Sequence, residues 1–175
     1  ALAMVKLAAV RANAEIGAID PTKARLIEQA CQEVLDGRLH DQFVVGIIQG
    51  GAGTSTNMNA NEVIANRALE LGGWQKGDYA HIHPIDDVNR SQSTNDTYPT
   101  AVKIALSLLL RSLLDELWAL RESFSRKGVE FKHVLKVGRT QLQDAVPMTL
   151  GQEFHGFATT LAEDYERLKE TTWLL

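Results

Sequence analysis

The feature that most constrains the fold is a long run of helix-forming residues in the second half of the chain. Between residues 101 and 126 there is no glycine or proline, and apolar residues recur at helical spacing. Pro99 lies where the first turn would begin and Gly128 follows the end, so we predict a helix over about 99–126. We expect its apolar side chains to pack against neighbouring elements: Val102, Ile104, Leu108, Leu109, Leu113, Leu117 and Leu120.

Other segments also predict a mainly helical protein. Asp20 and Pro21 provide a cap and a first-turn proline for a helix that Gly37 ends. Further helices are predicted over 1–19, about 59–71, and 148 to the last residue. Residues 43–48 predict a strand or an extended loop. We expect 76–89 to be irregular, 134–137 to be extended and 138–147 to be a polar loop.

Composition excludes several classes of protein. Hydrophobic residues make up 45% and charged residues 23% of the 175 residues, which is typical of a soluble globular chain. The most apolar run, 105–120, contains Arg111, Asp115 and Glu116, which a bilayer span does not readily accommodate. A net charge of −4 gives no indication of nucleic-acid binding. The single cysteine, Cys31, excludes an internal disulfide and favours a reducing compartment, so we predict a cytoplasmic protein.

Both ends of the sequence predict a longer protein. The first residue is alanine and already belongs to a helical pattern, and the apolar pattern of the last helix continues to Leu175. We therefore expect the sequence to be a fragment whose exposed apolar surface is covered by a continuation of the chain or by a partner chain.

Three polar segments are candidates for a binding site. They span 50–59, 91–96 and 138–147. Without any binding role, the first would be a flexible turn, the second a helix N-cap and the third a surface connection. Thr54 stands where a phosphate-binding loop needs lysine, which argues against nucleotide binding. Together the segments place neutral hydrogen-bonding groups beside helices, without a nucleophile paired to a histidine base. Such groups suit a dicarboxylate and can stabilise negative charge as it forms.

Longer stretches around these segments resemble the signature set of the aspartase/fumarase superfamily: GGAGTSTNMNANEVIANRALELGG, VNRSQSTNDTYPTA and GRTQLQDAVPMTLGQEF. The wording AGTST and the pair Ser93-Thr94 resemble aspartate ammonia-lyases, whereas class II fumarases more often have SGTQS and a serine pair. The resemblance implies a truncated, mainly α fold. An N-terminal lyase domain would span 1–92, including the polar loop 50–59, and 93–175 would begin a central helical bundle.

The resemblance also implies an activity, the anti elimination of ammonia from L-aspartate to give fumarate through an enediolate-like intermediate. No cofactor or metal is needed. Thr54, Ser93 and Thr94 match positions that hold the β-carboxylate. Asn95 would contact the amino group with help from Thr54, and Thr140 would hold the α-carboxylate.

Two further residues are predicted to bind substrate. Ser55 follows Thr54 in the same motif. Gln141 stands where fumarases and some aspartases have histidine, and glutamine cannot exchange a proton near neutral pH. We therefore predict that Gln141 positions the substrate and does not act as a general acid.

The resemblance implies that this chain alone is inactive. The family's base is a serine on a mobile loop with a GSSxMPxKxN signature, which this sequence lacks. Family members are homotetramers whose active sites draw on three subunits, so Thr54, Ser93 and Thr140 need not meet within one chain. Two alternatives are a fumarate hydratase and a non-catalytic helical assembly fragment.

The segment from His81 to Asp87 departs from the family. Fumarases have a secondary carboxylate site at an HPND sequence, and Ile85 replaces its asparagine here. Histidines and aspartates in this segment also suggest a metal site, but their spacing fits no common zinc or calcium pattern. We favour a solvated turn.

Overall fold

A computed structural model of the protein describes residues 1–46, 48 and 51–174. The chain forms two compact units, Ala1–Ala105 and a second that begins at Leu106. The helices are α1 (Leu2–Glu15), α2 (Pro21–Leu35), α3 (Thr54–Leu71), α4 (Thr94–Glu130) and α5 (Leu150–Thr171); the strands are β1 (Leu135–Thr140) and β2 (Gln143–Thr149). A 3-10 turn spans His40–Gln42 and a π-helical turn spans Pro84–Val88. The predicted mainly α fold is confirmed. Within the described ranges, no helix has both the length and the apolar character needed to cross a membrane.

The core of the first unit lies between α1, α2 and α3. Apolar side chains from the three helices are buried there, and their removal from water is the main contribution to the free energy of folding. Its largest members include Val10, Leu26, Ile27, Ile64, Leu69 and Ile82. The predicted start of α2 is confirmed, because Oδ1 of Asp20 accepts hydrogen bonds from the N–H groups of Thr22 and Lys23 at 2.8 and 3.1 Å. Gly37, at φ +88°, follows the end of α2 as predicted.

Two predicted helix limits in the first unit are wrong. Helix α1 ends at Glu15 and not near residue 19, because Gly17 turns the chain at φ +70°. Helix α3 begins at Thr54, so residues 54–59 are helical and not part of a polar loop. Its start is set by Gly53, which has φ +82° and lies so close to the ring of Tyr98 that a Cβ would collide with it.

The segment before α3 contains no strand in its described part. Residues 43–46 and 48 belong to neither a helix nor a strand. Of the two alternatives predicted for 43–48, the strand is not found there, and the described residues agree with a loop. Ile47, which belongs to that prediction, and Gly50, which belongs to the predicted polar loop, lie outside the described residues, as does Gln49.

Helix α4 begins five residues before its predicted start. Pro99 lies inside the helix, where it removes one donor and leaves the carbonyl of Asn95 without its helical partner. The unpaired carbonyl is tolerated because Asn95 lies in the first turn of α4 and is exposed to water. The predicted burial of the apolar face is also wrong for five of its members. They are between 38% and 70% exposed: Val102, Leu108, Leu109, Leu113 and Leu120.

In the second unit, an antiparallel hairpin connects α4 to α5. The polar loop predicted over 138–147 is wrong, since the two strands pair from Leu135 opposite Thr149 to Thr140 opposite Gln143. The turn consists of Gln141 and Leu142, both with positive φ, at +50° and +64°. Such a turn matches the twist of paired strands without requiring glycine in the sequence.

Helix α5 packs on α4 through aromatic side chains. Phe124 of α4 lies 5.5 Å from Phe157 and 5.8 Å from Phe154, measured between ring centroids, and Phe131, just after α4, lies 5.5 Å from Phe154. Thr149 begins α5 with a reciprocal capping box to Gln152. The predicted continuous helix to the last residue is wrong, because α5 ends at Thr171; Leu175 lies outside the described residues.

Candidate active site

Two helix N-termini lie side by side in the first unit. The side-chain Nδ2 of Asn57, in the first turn of α3, donates to Oγ1 of Thr94 at the start of α4, at 3.0 Å. The close approach of Gly53 to Tyr98 joins the same two helix starts. Backbone N–H groups and the positive end of the dipole favour an anion at each of them.

The residues predicted to bind substrate in this unit meet at these helix starts. Thr54 and Ser55 form the beginning of α3 and are exposed. Ser93 and Asn95 are exposed and flank Thr94, which is half-buried. The structure therefore brings five of the predicted site residues to one region.

Ser93 also fulfils its simple structural interpretation. Its Oγ accepts a hydrogen bond from the N–H of Asn95 at 3.2 Å, and its carbonyl accepts from Asp96 and Thr97 at 3.1 and 2.9 Å. Ser93 is thus a cap of α4. Because a hydroxyl can accept and donate together, the capping bond leaves its hydrogen available for a ligand.

A set of buried and half-buried polar side chains lies beneath Thr94, and we call it the amide network: Lys6, Asn57, Asn61, Asn89 and Gln92. Asn89 is at its centre, since its Oδ1 accepts from Nζ of Lys6 at 2.9 Å, from Nδ2 of Asn57 at 3.1 Å and from Nδ2 of Asn61 at 3.2 Å. Gln92 joins through its Oε1, 2.9 Å from Nζ of Lys6. Each of these side chains forms at least one hydrogen bond, which makes its burial tolerable, while Oδ1 of Asn57 and Oδ1 of Asn61 have no partner among the described residues.

The amide network is not predicted from the sequence, although one signal of it is present there. Lys6 interrupts an apolar stretch and shares the buried face of α1 with Ala3, Val10 and Asn13. A lysine on such a face must either extend to the solvent or find partners inside. Lys6 is 0% exposed, so it belongs to the second case.

Burial perturbs two ionisable groups in this unit. Loss of hydration lowers the pKa of Lys6 from 10.5 to about 8, with a smaller opposite effect from Cys31. The ammonium is therefore still the main form at neutral pH. Burial raises the pKa of the Cys31 thiol to about 12, so this cysteine is an unreactive core residue.

The other two predicted site residues lie in the second unit. Thr140 is the last residue of β1 and Gln141 is the first residue of the turn, and both are exposed. The nearest ion pair along the hairpin joins Arg139 to Asp144 at 3.3 Å and is itself exposed. The structure places Thr140 and Gln141 together at this tip, separate in the chain from the group in the first unit.

The segment around His83 has a structural role that a solvated turn does not describe. Nδ1 of His83 accepts from the N–H groups of Ile85 and Asp86, each at 3.1 Å, and caps the π-helical turn. Asp87 is buried, and its Oδ2 accepts from Nζ of Lys23 at 2.8 Å. In the part of the chain that the structure describes, no three His, Cys, Asp or Glu side chains form a group suited to a metal ion.

Comparison with known proteins identifies the family. The sequence model of the Lyase family matches residues 1–174. Aspartate ammonia-lyase of Pseudomonas fluorescens is 61% identical over 168 residues, which are 96% of this chain and 35% of that protein. The enzyme of the same name from Escherichia coli K12 is 54% identical, over 99% of this chain and 37% of that protein.

Two solved structures agree with the fold. A fumarate lyase:delta crystallin from Brucella melitensis superimposes with a TM-score of 0.89 at 58% identity, covering 99% of this chain and 40% of that one. A class II fumarase from Schistosoma mansoni gives a TM-score of 0.81 at 39% identity, covering 94% and 35%. The chain spans about a third of the length of the curated relatives it matches. With the family model matching nearly every residue and the three motifs in order, the chain belongs to the Lyase family, the aspartase/fumarase superfamily that its motifs predict.

Proposed function

We propose that this chain provides the carboxylate-binding part of an aspartate ammonia-lyase, which converts L-aspartate to fumarate and ammonia. The observation that carries the proposal is the pair of adjacent helix starts bearing Thr54, Ser93 and Thr94. Neutral hydroxyls and backbone N–H groups at two helix N-termini suit a carboxylate. The identity to enzymes named aspartate ammonia-lyase supports this substrate over other dicarboxylates.

In the proposed reaction, a base removes one proton from Cβ of aspartate. The electron pair moves toward the β-carboxylate and gives an enediolate with a second negative charge. Thr54, Ser93 and Thr94 donate hydrogen bonds to these oxygens, and the bonds strengthen as charge accumulates. The Cα–N bond then breaks, the double bond of fumarate forms, and ammonia leaves. Interactions that are stronger in the transition state than in the ground state accelerate the reaction.

The remaining predicted residues bind the amino group and the α-carboxylate or orient the substrate. Asn95 contacts the amino group, Ser55 adds a hydroxyl beside Thr54, and Thr140 holds the α-carboxylate. Gln141 orients the substrate. The base is supplied by another part of the complete lyase, so the 175-residue chain alone is expected to be inactive.

We also propose that the complete lyase is a cytoplasmic homotetramer. Support for assembly comes from exposed apolar side chains along the second-unit part of α4, including Leu109, Leu113 and Trp118. Large exposed apolar patches mark interaction surfaces. Light scattering should give the mass of a tetramer for the unmodified complete lyase and a smaller mass for its Leu113→Glu variant. A native protein that is monomeric would contradict the proposal.

The decisive experiment incubates the complete lyase that contains this segment with fumarate and ammonium, followed by NMR. Aspartate is the expected product. Malate would favour a fumarate hydratase, which the 39% identity to a class II fumarase makes the second candidate. Neither product would favour a non-catalytic assembly role. The isolated chain serves as the control and should form neither product.

A further inference from the structure

We propose that Lys6 is a positioning residue, which acts through Asn89 and Asn57 to make the hydroxyl hydrogen of Thr94 point out of the protein. The direction of these hydrogen bonds does not depend on the reaction. Its consequence for catalysis rests on the proposed function, because an outward hydrogen can be donated to a carboxylate as negative charge forms.

The ammonium group of Lys6 limits which atoms can contact it. Protonated lysine has three donors and no acceptor, so both atoms that Lys6 contacts must be oxygens. These are Oδ1 of Asn89 and Oε1 of Gln92, each 2.9 Å from Nζ. Within the described residues Lys6 forms no ion pair, and these two amide oxygens are its hydrogen-bond partners.

The rest of the network agrees with these amide orientations. Nδ2 of Asn89 donates to the carbonyl oxygen of Gln92 at 3.1 Å. Nε2 of Gln92 donates to the carbonyl oxygens of Val88 and Arg90 at 2.9 and 3.2 Å. Reversing either amide would place oxygen against oxygen at these contacts and nitrogen against the ammonium. Lys6 and the backbone therefore fix the same orientation.

The fixed oxygen of Asn89 then determines the orientation of Asn57. Nδ2 of Asn57 lies 3.1 Å from Oδ1 of Asn89, so the atom at this position must be a donor. The second hydrogen of the same amide points to Oγ1 of Thr94, at 3.0 Å. The oxygen of Thr94 is thus an acceptor within the protein, and its own hydrogen is free to point elsewhere.

The groups around Asn57 hold it in this orientation. Its Oδ1 is buried and has no hydrogen-bond partner among the described residues. If the amide turned over, Oδ1 would accept the hydrogen of Thr94, and the hydroxyl would be directed into the protein. The same change would set Oδ1 of Asn57 against Oδ1 of Asn89 and leave the amide hydrogens without an acceptor, so the oxygen of Asn89 favours the observed orientation. Lys6, through Asn89, is the neighbour with a full charge.

The ionisation of Lys6 is consistent with this role. Burial lowers its pKa to about 8, so most molecules keep the donor-only ammonium at pH 7. The amide network provides that charge with two oxygen partners in place of water. Lysine is rarely fully buried unless its charge has partners, so packing alone does not explain a lysine with 0% exposure here.

A double-mutant cycle tests the catalytic consequence in the complete lyase. Lys6→Met keeps the length of the side chain and removes the donors. We expect it to lower kcat on the order of tenfold, less than the 10²- to 10³-fold that loss of one stabilising donor typically costs. In a Thr94→Val background, where no hydroxyl remains to be oriented, Lys6→Met should cause no further loss. Fully additive losses would overturn the proposal.

Lys23→Met is the matched control. Lys23 also lies in the first unit, and its Nζ contacts Oδ2 of Asp87 at 2.8 Å without joining the amide network. It should lower stability while leaving kcat within about twofold of the native value. An equal loss of kcat in this control would show that the effect of Lys6 is general destabilisation and would overturn the proposal.

Neutron diffraction from crystals of the complete native lyase tests the orientation without any variant or activity. The deuteron on Oγ1 of Thr94 should point away from Asn57, and both deuterons of the Asn57 amide should point to Thr94 and Asn89. A Thr94 deuteron directed at Asn57 would overturn the proposal even if the enzyme makes aspartate. If the enzyme makes no aspartate, the proposed function fails, while neutron maps of the native protein and of Lys6→Met still decide whether Lys6 fixes the Thr94 hydroxyl, because the deuteron should turn only in the variant.

Discussion

The two regions that carry the predicted site residues are built in different ways. At the start of α4, Thr94 is half-buried and its oxygen is held by Asn57 above a buried lysine. At the hairpin tip, Thr140 and Gln141 are exposed, and the neighbouring Leu142 is 95% exposed. The first region is organised by its own chain before substrate arrives. The second displays its groups on a short turn, so its geometry depends on the backbone alone.

The largest expected effect is a loss of kcat when Thr94, at the start of α4, loses its hydroxyl. In the complete lyase, Thr94→Ala should lower kcat by about 10²- to 10³-fold, or about 2.7–4 kcal/mol, because it removes a donor to the forming enediolate. Steady-state kinetics with aspartate measures this. Thr159→Ala, which removes an exposed hydroxyl on α5, should leave kcat unchanged. A loss below tenfold for Thr94→Ala would remove Thr94 from the proposed site.

The hairpin tip should respond differently to loss of a hydroxyl. Thr140 is proposed to hold the α-carboxylate, which keeps its charge throughout the reaction. Thr140→Ala should therefore raise KM for aspartate by about tenfold, or about 1.4 kcal/mol, with a smaller change in kcat. Thr94→Ala, by contrast, should mainly lower kcat. A fall in kcat at constant KM would place Thr140 with the charge-stabilising groups.

The buried Lys6 should make the free energy of unfolding depend on pH, which the exposed residues of the hairpin tip should not do. The pKa of Lys6 is about 8 when folded and near 10.5 when unfolded, so above pH 8 the unfolded chain binds more protons. Its contribution to stability therefore rises with pH across this window. Between pH 8 and 9 the native 175-residue chain should gain about 1 kcal/mol relative to Lys6→Met in urea unfolding.

The outcome that contradicts this is an equal pH dependence in both proteins. Cys31 acts in the opposite direction, because its raised pKa stabilises the fold at low pH and this contribution is lost as pH rises from 9 toward 12. Cys31 is present in both proteins, so its effect largely cancels in the difference.

The smallest expected effect concerns strain at the tip. Leu142 has φ +64°, a conformation that is unfavourable for a side chain with a Cβ, and its exposed side chain contributes little packing. Leu142→Gly should stabilise the 175-residue chain by about 0.5 kcal/mol after the added entropy of the unfolded state is included. Urea unfolding measures the change.

Leu135→Gly is the control with the opposite sign. Leu135 is also exposed, at 81%, but lies in β1 with ordinary strand geometry, so glycine there should destabilise by about 0.5–1 kcal/mol. If both substitutions destabilise equally, the positive φ of Leu142 carries no significant strain.

Local signals predicted α2 well and α3 poorly, and the difference is physical. The start of α2 depends on Asp20 and Pro21, whose effect is confined to the next turn of the chain. The start of α3 depends on Gly53 lying against the ring of Tyr98, 45 residues later in the sequence. A helix limit set by a distant side chain has no signature in the neighbouring residues.

The sequence by itself determined the family, the mainly helical class and the polar motifs, since these depend on residue identity and spacing along the chain. Only the tertiary structure decided that α3 and α4 begin beside each other and that Lys6, Asn57, Asn89 and Gln92 join beneath Thr94. The physical reason is that a buried donor needs a particular acceptor in space. That acceptor lies up to 86 residues away along the chain, so only folding brings the two together.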